Sequence, residues 1–389
     1  MYTLLLTIIY IAFISLGLPD SLLGSGWPVM HGELGVPVSY AGIISMIISG
    51  GTIVSSLMSD RLTRRFGAGL VTAASVFMTA AALFGFSTSN TFLLLCLWAI
   101  PYGLGAGAVD AALNNYVALH YSSRHMSWLH CFWGVGASVS PYIMGICLSN
   151  GFGWHNGYKF VAVLQFVLTA ILFFNLPLWK INTNKNEKYE SAGIGLADTL
   201  KIKGVKYILI AFFAYCAMET TAHMWASTYL YEYKNLSSDI SAKFASLFFI
   251  GITAGRFACG FVANKLGDKR LIRLGSAIIA IGVLMIIIPV KTTVALAGLI
   301  TVGLGCAPIY PSIIHSTPYN FGKENSQSII GIQMASAYIG STFMPPLFGF
   351  LAEKISVSLY PYYIAVFLLL MIIMSESLNK STRTKTAED

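Results

Sequence analysis

Residues 56–65 read Ser56-Leu57-Met58-Ser59-Asp60-Arg61-Leu62-Thr63-Arg64-Arg65, and residues 260–270 read Gly260-Phe261-Val262-Ala263-Asn264-Lys265-Leu266-Gly267-Asp268-Lys269-Arg270. Each is a short basic island between two apolar runs. Like charges in hydrocarbon are costly, so such an island lies at a membrane surface, where Lys and Arg accumulate on the cytoplasmic side. Asp60 and Asn264 stand 204 residues apart. Two islands of the same grammar at that offset make the chain polytopic and internally duplicated.

Composition agrees. The chain has 389 residues, of which 56% are hydrophobic and only 10% charged, against about 25% charged in a soluble domain. A net charge of +8 in a soluble protein would raise the question of nucleic acid; here the basic residues sit at the ends of apolar runs, so the expected partner is the lipid bilayer and no nucleic acid. Cys96, Cys131, Cys147, Cys216, Cys259 and Cys306 all fall inside apolar runs without metal-ligand spacing. They imply small core residues, with neither a metal site nor a disulfide framework.

Working outward from the two loops, twelve apolar segments have spanning length, near 3–27, 37–58, 68–88, 91–118, 127–149, 156–179, 205–231, 242–263, 271–290, 293–316, 327–352 and 357–377. The first lacks a basic leader and is read as a retained helix. With both termini cytoplasmic, eighteen basic residues fall on the cytoplasmic side: Arg61, Arg64, Arg65, Arg124, Lys180, Lys185, Lys188, Lys201, Lys203, Lys206, Lys265, Lys269, Arg270, Arg273, Lys323, Lys380, Arg383 and Lys385. Five fall opposite, namely Lys159, Lys234, Lys243, Lys291 and Lys354, and Arg256 is left inside a span. That asymmetry predicts a multi-pass protein of the cell membrane with both ends inside. Trp27, Trp154 and Trp179 lie at span ends, where amphipathic rings favour the interface.

One polar stretch looks like a linker. Between Lys180 and Lys206 come Asn182, Asn184, Asn186, Glu187, Lys188 and Glu190. The expected organisation is a six-helix bundle over 1–180, a cytoplasmic linker over 181–204, a second six-helix bundle over 205–378 and a cytoplasmic tail over 379–389. The halves match at an offset of 204, where Ala41, Ile48, Gly51 and Leu62 recur as Ala245, Ile252, Gly255 and Leu266, and Gly136, Pro141 and Gly145 recur as Gly340, Pro345 and Gly349. Near the fourth and tenth spans the offset is 200, so that Gly103-Leu104-Gly105 recurs as Gly303-Leu304-Gly305. The fold class is an all-α membrane protein of twelve transmembrane helices in two six-helix bundles related by an internal repeat, the architecture of rocking transporters.

The paired loops resemble the G-x-x-x-D-R-x-G-R-R signature of the major facilitator superfamily. The resemblance implies a cytoplasmic latch made by Asp60, Arg61 and Arg65 in the first copy and by Lys265 and Asp268 in the second. Ser56 replaces the first glycine, Thr63 the second, and Asn264 the second-half acid, so the C-terminal copy is expected to latch more weakly.

Polar residues inside the spans mark the candidate site. A carboxylate at membrane depth costs about 2.5 kcal/mol or more on insertion scales, so it is a functional candidate by default. Asp20 follows Pro19, which removes a backbone donor and loosens the helix beside the acid. Asp110 and Asn114 are spaced i,i+4 on one helix face, with Asn115 beside them, and a stripe of Gly103, Ala106 and Gly107 allows close approach. Glu219 shares a face with Tyr215 and His223. His130 and Trp133 lie in the fifth span, Gln333 in the eleventh, and Arg256 in the eighth. For His130, His223 and Gln333 the competing reading is a satisfied interhelix hydrogen bond; for Arg256 it is snorkelling or pairing with an acid.

Within the superfamily, the first, fourth and fifth spans resemble the fucose permease group of proton-coupled sugar symporters. Pro19-Asp20-Ser21-Leu22-Leu23 matches its first-helix acid, Asp110-Ala111-Ala112-Leu113-Asn114 its E-x-x-x-N pattern, and Leu129-His130-Cys131-Phe132-Trp133-Gly134-Val135-Gly136-Ala137 its L-H-x-F-[FW]-G-x-G-A run. By this resemblance Asp20 is the protonatable coupling residue, and Asp110 with Asn114 meets substrate hydroxyls. Asp stands for Glu at 110, and Gly24 for a proline of the first helix.

A sugar presents many donors and acceptors and a weakly apolar face, so its site combines carboxylates and amides with aromatic platforms. The available aromatics near mid-span are Trp133, Trp225, Tyr102 and Tyr310. The expected function is secondary active symport of a sugar or similar small polar solute, with Asp20 and Glu219 as protonation sites. Asp110, Asn114, Asn115, His130, Trp133, Trp225, Gln333 and Tyr310 are the expected solute contacts. No cofactor is expected beyond a coupling ion, a proton or a sodium ion, and one chain is expected to work as a monomer. The first alternative is a drug or metabolite antiporter, which the run Gly136-Ala137-Ser138-Val139-Ser140-Pro141-Tyr142-Ile143-Met144-Gly145 partly matches, with Ser140 in place of a glycine. A membrane-embedded sensor or enzyme is disfavoured, since no HExxH, Gly-x-Ser-x-Gly or Walker loop is present.

Overall fold

The computed structural model describes residues 2–181, 195–236, 238–288 and 291–383. Most of the expected linker (182–194) and the end of the expected tail (384–389) lie outside the described residues. Those described are helical with short connections, and no strand occurs among them. The reason is the sequence's own apolarity: in hydrocarbon a backbone must satisfy its polar groups within one segment, and a helix does so.

We label the rods α1 to α12. Helix α1 runs Tyr2–Asp20 and resumes as Leu22–Glu33 after a break at Ser21, beside Pro19. The segment Ala41–Thr88 is two rods joined at Gly67, with φ 80° and ψ 154°; these are α2 (41–66) and α3 (68–88). Next come α4 (Phe92–His120), α5 (Ser123–Ser149) and α6 (Gly153–Phe174). Helix α7 (Val205–Thr228) ends in a wide turn over Tyr229–Tyr233. The remainder are α8 (Ser238–Leu266), α9 (Asp268–Ile287), α10 (Thr292–Cys306 continued as Ile309–Phe321), α11 (Lys323–Lys354) and α12 (Tyr360–Arg383). Nine described segments are by themselves long and apolar enough to cross a membrane. Dividing 41–88 at Gly67 adds one, and α8 and α11 add two more, which gives the twelve expected spans.

By contacts the chain forms two units. The first holds Met1–Tyr116 with Leu129–Gly193, the second Val117–Trp128 with Ile194–Asp389. The first unit centres on Trp27, Phe86, Tyr102, Trp154 and Tyr158, packed with Leu22, Met30, Leu83 and Met144. Gln165 ties three of its helices, accepting from Thr79 Oγ1 at 2.8 Å and donating to the Ser15 carbonyl at 2.7 Å. In the second unit Tyr215, a fully buried residue, donates to the Cys306 carbonyl at 3.0 Å, where Ala307 and Pro308 interrupt α10.

Close approaches at glycine reveal the repeat. A side chain at Gly103 would strike the Ile48 carbonyl, and one at Gly303 the Phe248 carbonyl. Gly51 abuts Gly103 and Leu104, as Gly251 abuts Gly303 and Leu304. Gly105 sits on the Ser75 carbonyl and Gly305 on the Gly275 carbonyl. All of these correspond at an offset of 200. The expected 204 for α2 and α8 is therefore corrected by four residues, about one helical turn. Such a shift keeps residues on the same face, which is why the apolar pattern matched at either register. The two helix breaks agree with 200 as well, since Gly67 (φ 80°, ψ 154°) and Gly267 (φ 75°, ψ 158°) adopt one conformation. Gly67, a turn beyond Thr63, thus holds in the first repeat the place that Gly267 holds in the second. For α5 and α11 the 204 offset stands, with Gly136 against Ile14 and Gly340 against Phe213.

Candidate functional site

In the first unit two strings of polar groups are assembled. Gly17 has no side chain, so the backbone of α1 lies against the Trp133 carbonyl of α5, while Gly136 lies against Ile14. That crossing brings the Trp133 indole to Asp20: Nε1 donates to Oδ2 at 2.9 Å. From α4, Tyr102 donates its hydroxyl to Oδ1 at 3.2 Å. Asp20 itself is exposed. The second string starts at Asp110, whose Oδ1 accepts from Asn114 Nδ2 at 2.8 Å. Asn114 Oδ1 in turn lies 3.1 Å from His130 Nε2, and the His130 ring meets Phe13 edge-on at 5.5 Å. With the Asn114 carbonyl as acceptor, His130 carries its proton on Nε2. Asp110 lies near enough to Asp20 for their charges to interact. Asn115 is buried too, but a consecutive helical residue is turned about 100° from Asn114, onto another side of α4.

In the second unit Glu219 Oε1 accepts from Arg256 Nη2 at 3.3 Å, with side-chain exposures of 16% and 5%. Tyr215 and Tyr310 flank the pair, their rings 6.1 Å apart, and Phe212 meets Tyr310 edge-on at 4.7 Å. The Tyr310 hydroxyl reaches Met334 Sδ at 3.4 Å. The other expected contacts are engaged elsewhere. Trp225 donates to the Pro345 carbonyl at 3.0 Å and packs over Gly349, while Gln333 is fully buried and accepts from Thr317 at 2.9 Å.

The signature loops divide their labour differently from the pattern. Asp60, buried, is bound by Arg64 Nε at 2.8 Å along its own helix; Arg61 is exposed, and Arg65 lies over the Phe66 ring at 5.3 Å. In the second unit Asp268 accepts from Ser123 Oγ at 2.7 Å and pairs with His315 Nδ1 at 2.7 Å. Asn264 keeps a grip without a charge, its Oδ1 accepting the Arg124 backbone N–H at 3.2 Å. The Trp128 indole covers Gly260 and meets Phe261 edge-on at 5.7 Å. Lys265 is exposed. Ser123, His315 and the partnership of Arg256 with Glu219 carry no local signal in sequence, because each partner comes from a different helix. Basic residues at 124 and 270 mark only that these ends are polar.

Comparison with known proteins identifies the family. The profile of the Major Facilitator Superfamily matches residues 9–334 and 208–387, and the chain belongs to that family of membrane transporters. It is 21% identical over 364 residues to the uncharacterized transporter y4wD of Sinorhizobium fredii, covering 91% of this chain and 92% of that protein. It is 22% identical over 329 residues to the glucose/mannose transporter GlcP of Bacillus subtilis, covering 82% and 79% respectively. Among solved structures, the major facilitator transporter FucP superposes with a TM-score of 0.80 at 14% identity, covering 95% of this chain and 97% of that one; this likeness shows the fold.

Proposed function

We propose that this transporter is a proton-coupled symporter of a sugar or similar small polar solute. Asp20 carries the proton, and Asp110, half-buried, offers the solute hydrogen bonds, positioned by the buried Asn114 and His130, with Trp133 as an apolar platform. The supporting observation is the setting of Asp20, an exposed carboxylate within a membrane span whose hydrogen-bond donors, Tyr102 and Trp133, are both neutral. Neutral donors hold the group in place without fixing its charge, so it can accept and release a proton. Substituting for the retained charge by an ion pair would remove that freedom.

The sugar reading draws on chemistry and on kinship. Carboxylate, amide, imidazole and indole side by side can match hydroxyls and one apolar face of a pyranose. GlcP is a glucose/mannose transporter, and the FucP of Escherichia coli is a fucose:proton symporter. A greasy drug would find this lining a poor host, so efflux is the second choice. The distribution of Lys and Arg supports cytoplasmic termini, and one chain is taken as the working unit.

Vesicles carrying the purified protein test the reading. Adding the right sugar outside should alkalinise the outer medium, as protons enter with solute. If a panel of sugars moves no protons while sodium uptake follows sugar, the coupling ion is wrong. If neither moves and a cationic dye is extruded, the symport reading fails.

A further inference from the structure

Asp20 and Glu219 occupy equivalent places in the two repeats. Gly136 lies against the Ile14 carbonyl and the Leu18 nitrogen, and Gly340 lies against the Phe213 carbonyl and the Ala217 nitrogen. Both pairs differ by 199 residues, the same offset that carries Asp20 to Glu219. Their partners, however, differ in charge. Asp20 is held by a phenol and an indole, whereas Glu219 is held by the guanidinium of Arg256. At the α2–α8 offset of 200 the counterpart of Arg256 is Ser56, which merely donates to the Gly107 carbonyl at 3.2 Å.

The guanidinium is therefore an addition to one repeat and no part of the shared scaffold. Scaffold needs do not explain it, since a buried ion pair can be replaced by well-packed apolar groups with little loss of stability. Nor is the pair built for strength. An arginine and a carboxylate can form two parallel bonds of about 2.7–2.9 Å; the contact of Arg256 Nη2 with Glu219 Oε1 is longer, at 3.3 Å, and Tyr215 lies within reach of both groups. Glu219 is the more exposed member, at 16% against 5%. Tyr215 and Tyr310 border the pair. A planar guanidinium beside two phenols, paired with one internal carboxylate, has the shape and charge to receive another carboxylate.

We propose that Arg256 binds a carboxylate of the transported solute, with Glu219 holding the guanidinium until the solute takes its place. The substrate class is then hydroxylated acids, uronic or aldonic, in preference to their neutral sugars. This rests on the polar-solute reading above and narrows it. One carboxylate replaces another at the guanidinium, and no covalent bond is made or broken.

The test uses the purified full chain and matched probes: D-glucuronate against D-glucose, D-galacturonate against D-galactose, and D-gluconate against D-sorbitol. Affinity is measured by calorimetry and thermal shift. In the unaltered protein at least one acid should bind tenfold or more tighter than its neutral partner. Arg256→Gln should abolish that preference and leave the weaker neutral binding unchanged. Removing the internal competitor by Glu219→Gln should tighten the acid severalfold relative to its neutral partner. Arg256→Gln/Glu219→Gln, which leaves no lone buried charge, should likewise show no preference, and it decides the matter if the single Arg256 variant does not fold. Equal binding of acid and neutral forms, or an acid preference that survives the double substitution, overturns the proposal while the symport reading stands. Failure of both acids and neutral sugars to bind overturns both.

Discussion

Asp20 shows how one residue type in one environment becomes a candidate for coupling. A carboxylate inside a span costs about 2.5–3.5 kcal/mol on insertion scales, and its neighbours Tyr102 and Trp133 return part of that through hydrogen bonds without supplying a counter-charge. Asp20→Asn keeps the size and removes the exchangeable proton; its single amide oxygen can accept from Trp133, while its NH2 faces the Tyr102 hydroxyl, which can accept in turn. We expect it to abolish accumulation of solute against a gradient while internal and external solute still exchange. Full accumulation by that variant in vesicles would take Asp20 out of the coupling role. At the same scale, the sequence marks Asp20 by its position after Pro19, but not its partners. Trp133 lies 113 residues away, and nothing local to either residue announces the contact.

At the scale of helices, glycine placement decides which faces meet. Gly103 lies on the Ile48 carbonyl, whereas Gly24 has open space where a side chain would go. Gly103→Ala should therefore lower stability by about 1–3 kcal/mol, the range for overpacking, and Gly24→Ala should be neutral or mildly stabilising, since alanine favours a helix over glycine by about 1 kcal/mol. Thermal unfolding in detergent compares the two, and equal effects would refute the packing assignment. The connector of α4 and α5 gives a second expectation. Asp268 accepts from Ser123 and pairs with His315, whose Nε2 also lies 3.2 Å from the Tyr121 carbonyl. Asp268→Asn should loosen residues 121–128 and raise their amide exchange severalfold, with α3 and α6 unaffected. Unchanged protection there would show that Asn264 and Trp128 suffice.

For the whole molecule, the duplicated scaffold and the unlike charges within it suggest two tasks on one architecture. The first unit holds Asp20 and Asp110 near each other; the second holds an acid neutralised by a base. If proton entry drives accumulation, a protonophore should abolish uphill uptake of solute and spare counterflow in preloaded vesicles. Uphill uptake that persists under the protonophore and collapses without sodium would reassign the driving ion. Basic residues crowded into one set of loops bear on this scale too, since Lys and Arg favour the cytoplasmic side of a membrane.

The membrane class, the twelve spans, the duplication and the family are legible in the amino-acid order alone, because apolar run length and basic loop placement are local properties that lipid enforces on any such chain. That order also marked Asp20, Asp110 and Glu219, since a carboxylate is conspicuous in an apolar run. The register of the repeat at α2 and α8 needed the packed helices, since a four-residue slip returns nearly the same helix face and Gly67 with Gly267 gives the true alignment. Tertiary packing alone paired Arg256 with Glu219, joined Asn114 to His130, and committed Trp225 and Gln333 to contacts between helices. The physical reason is the same in each case: hydropathy states that a residue is embedded, while its partner is fixed by which helix faces approach closely enough to touch.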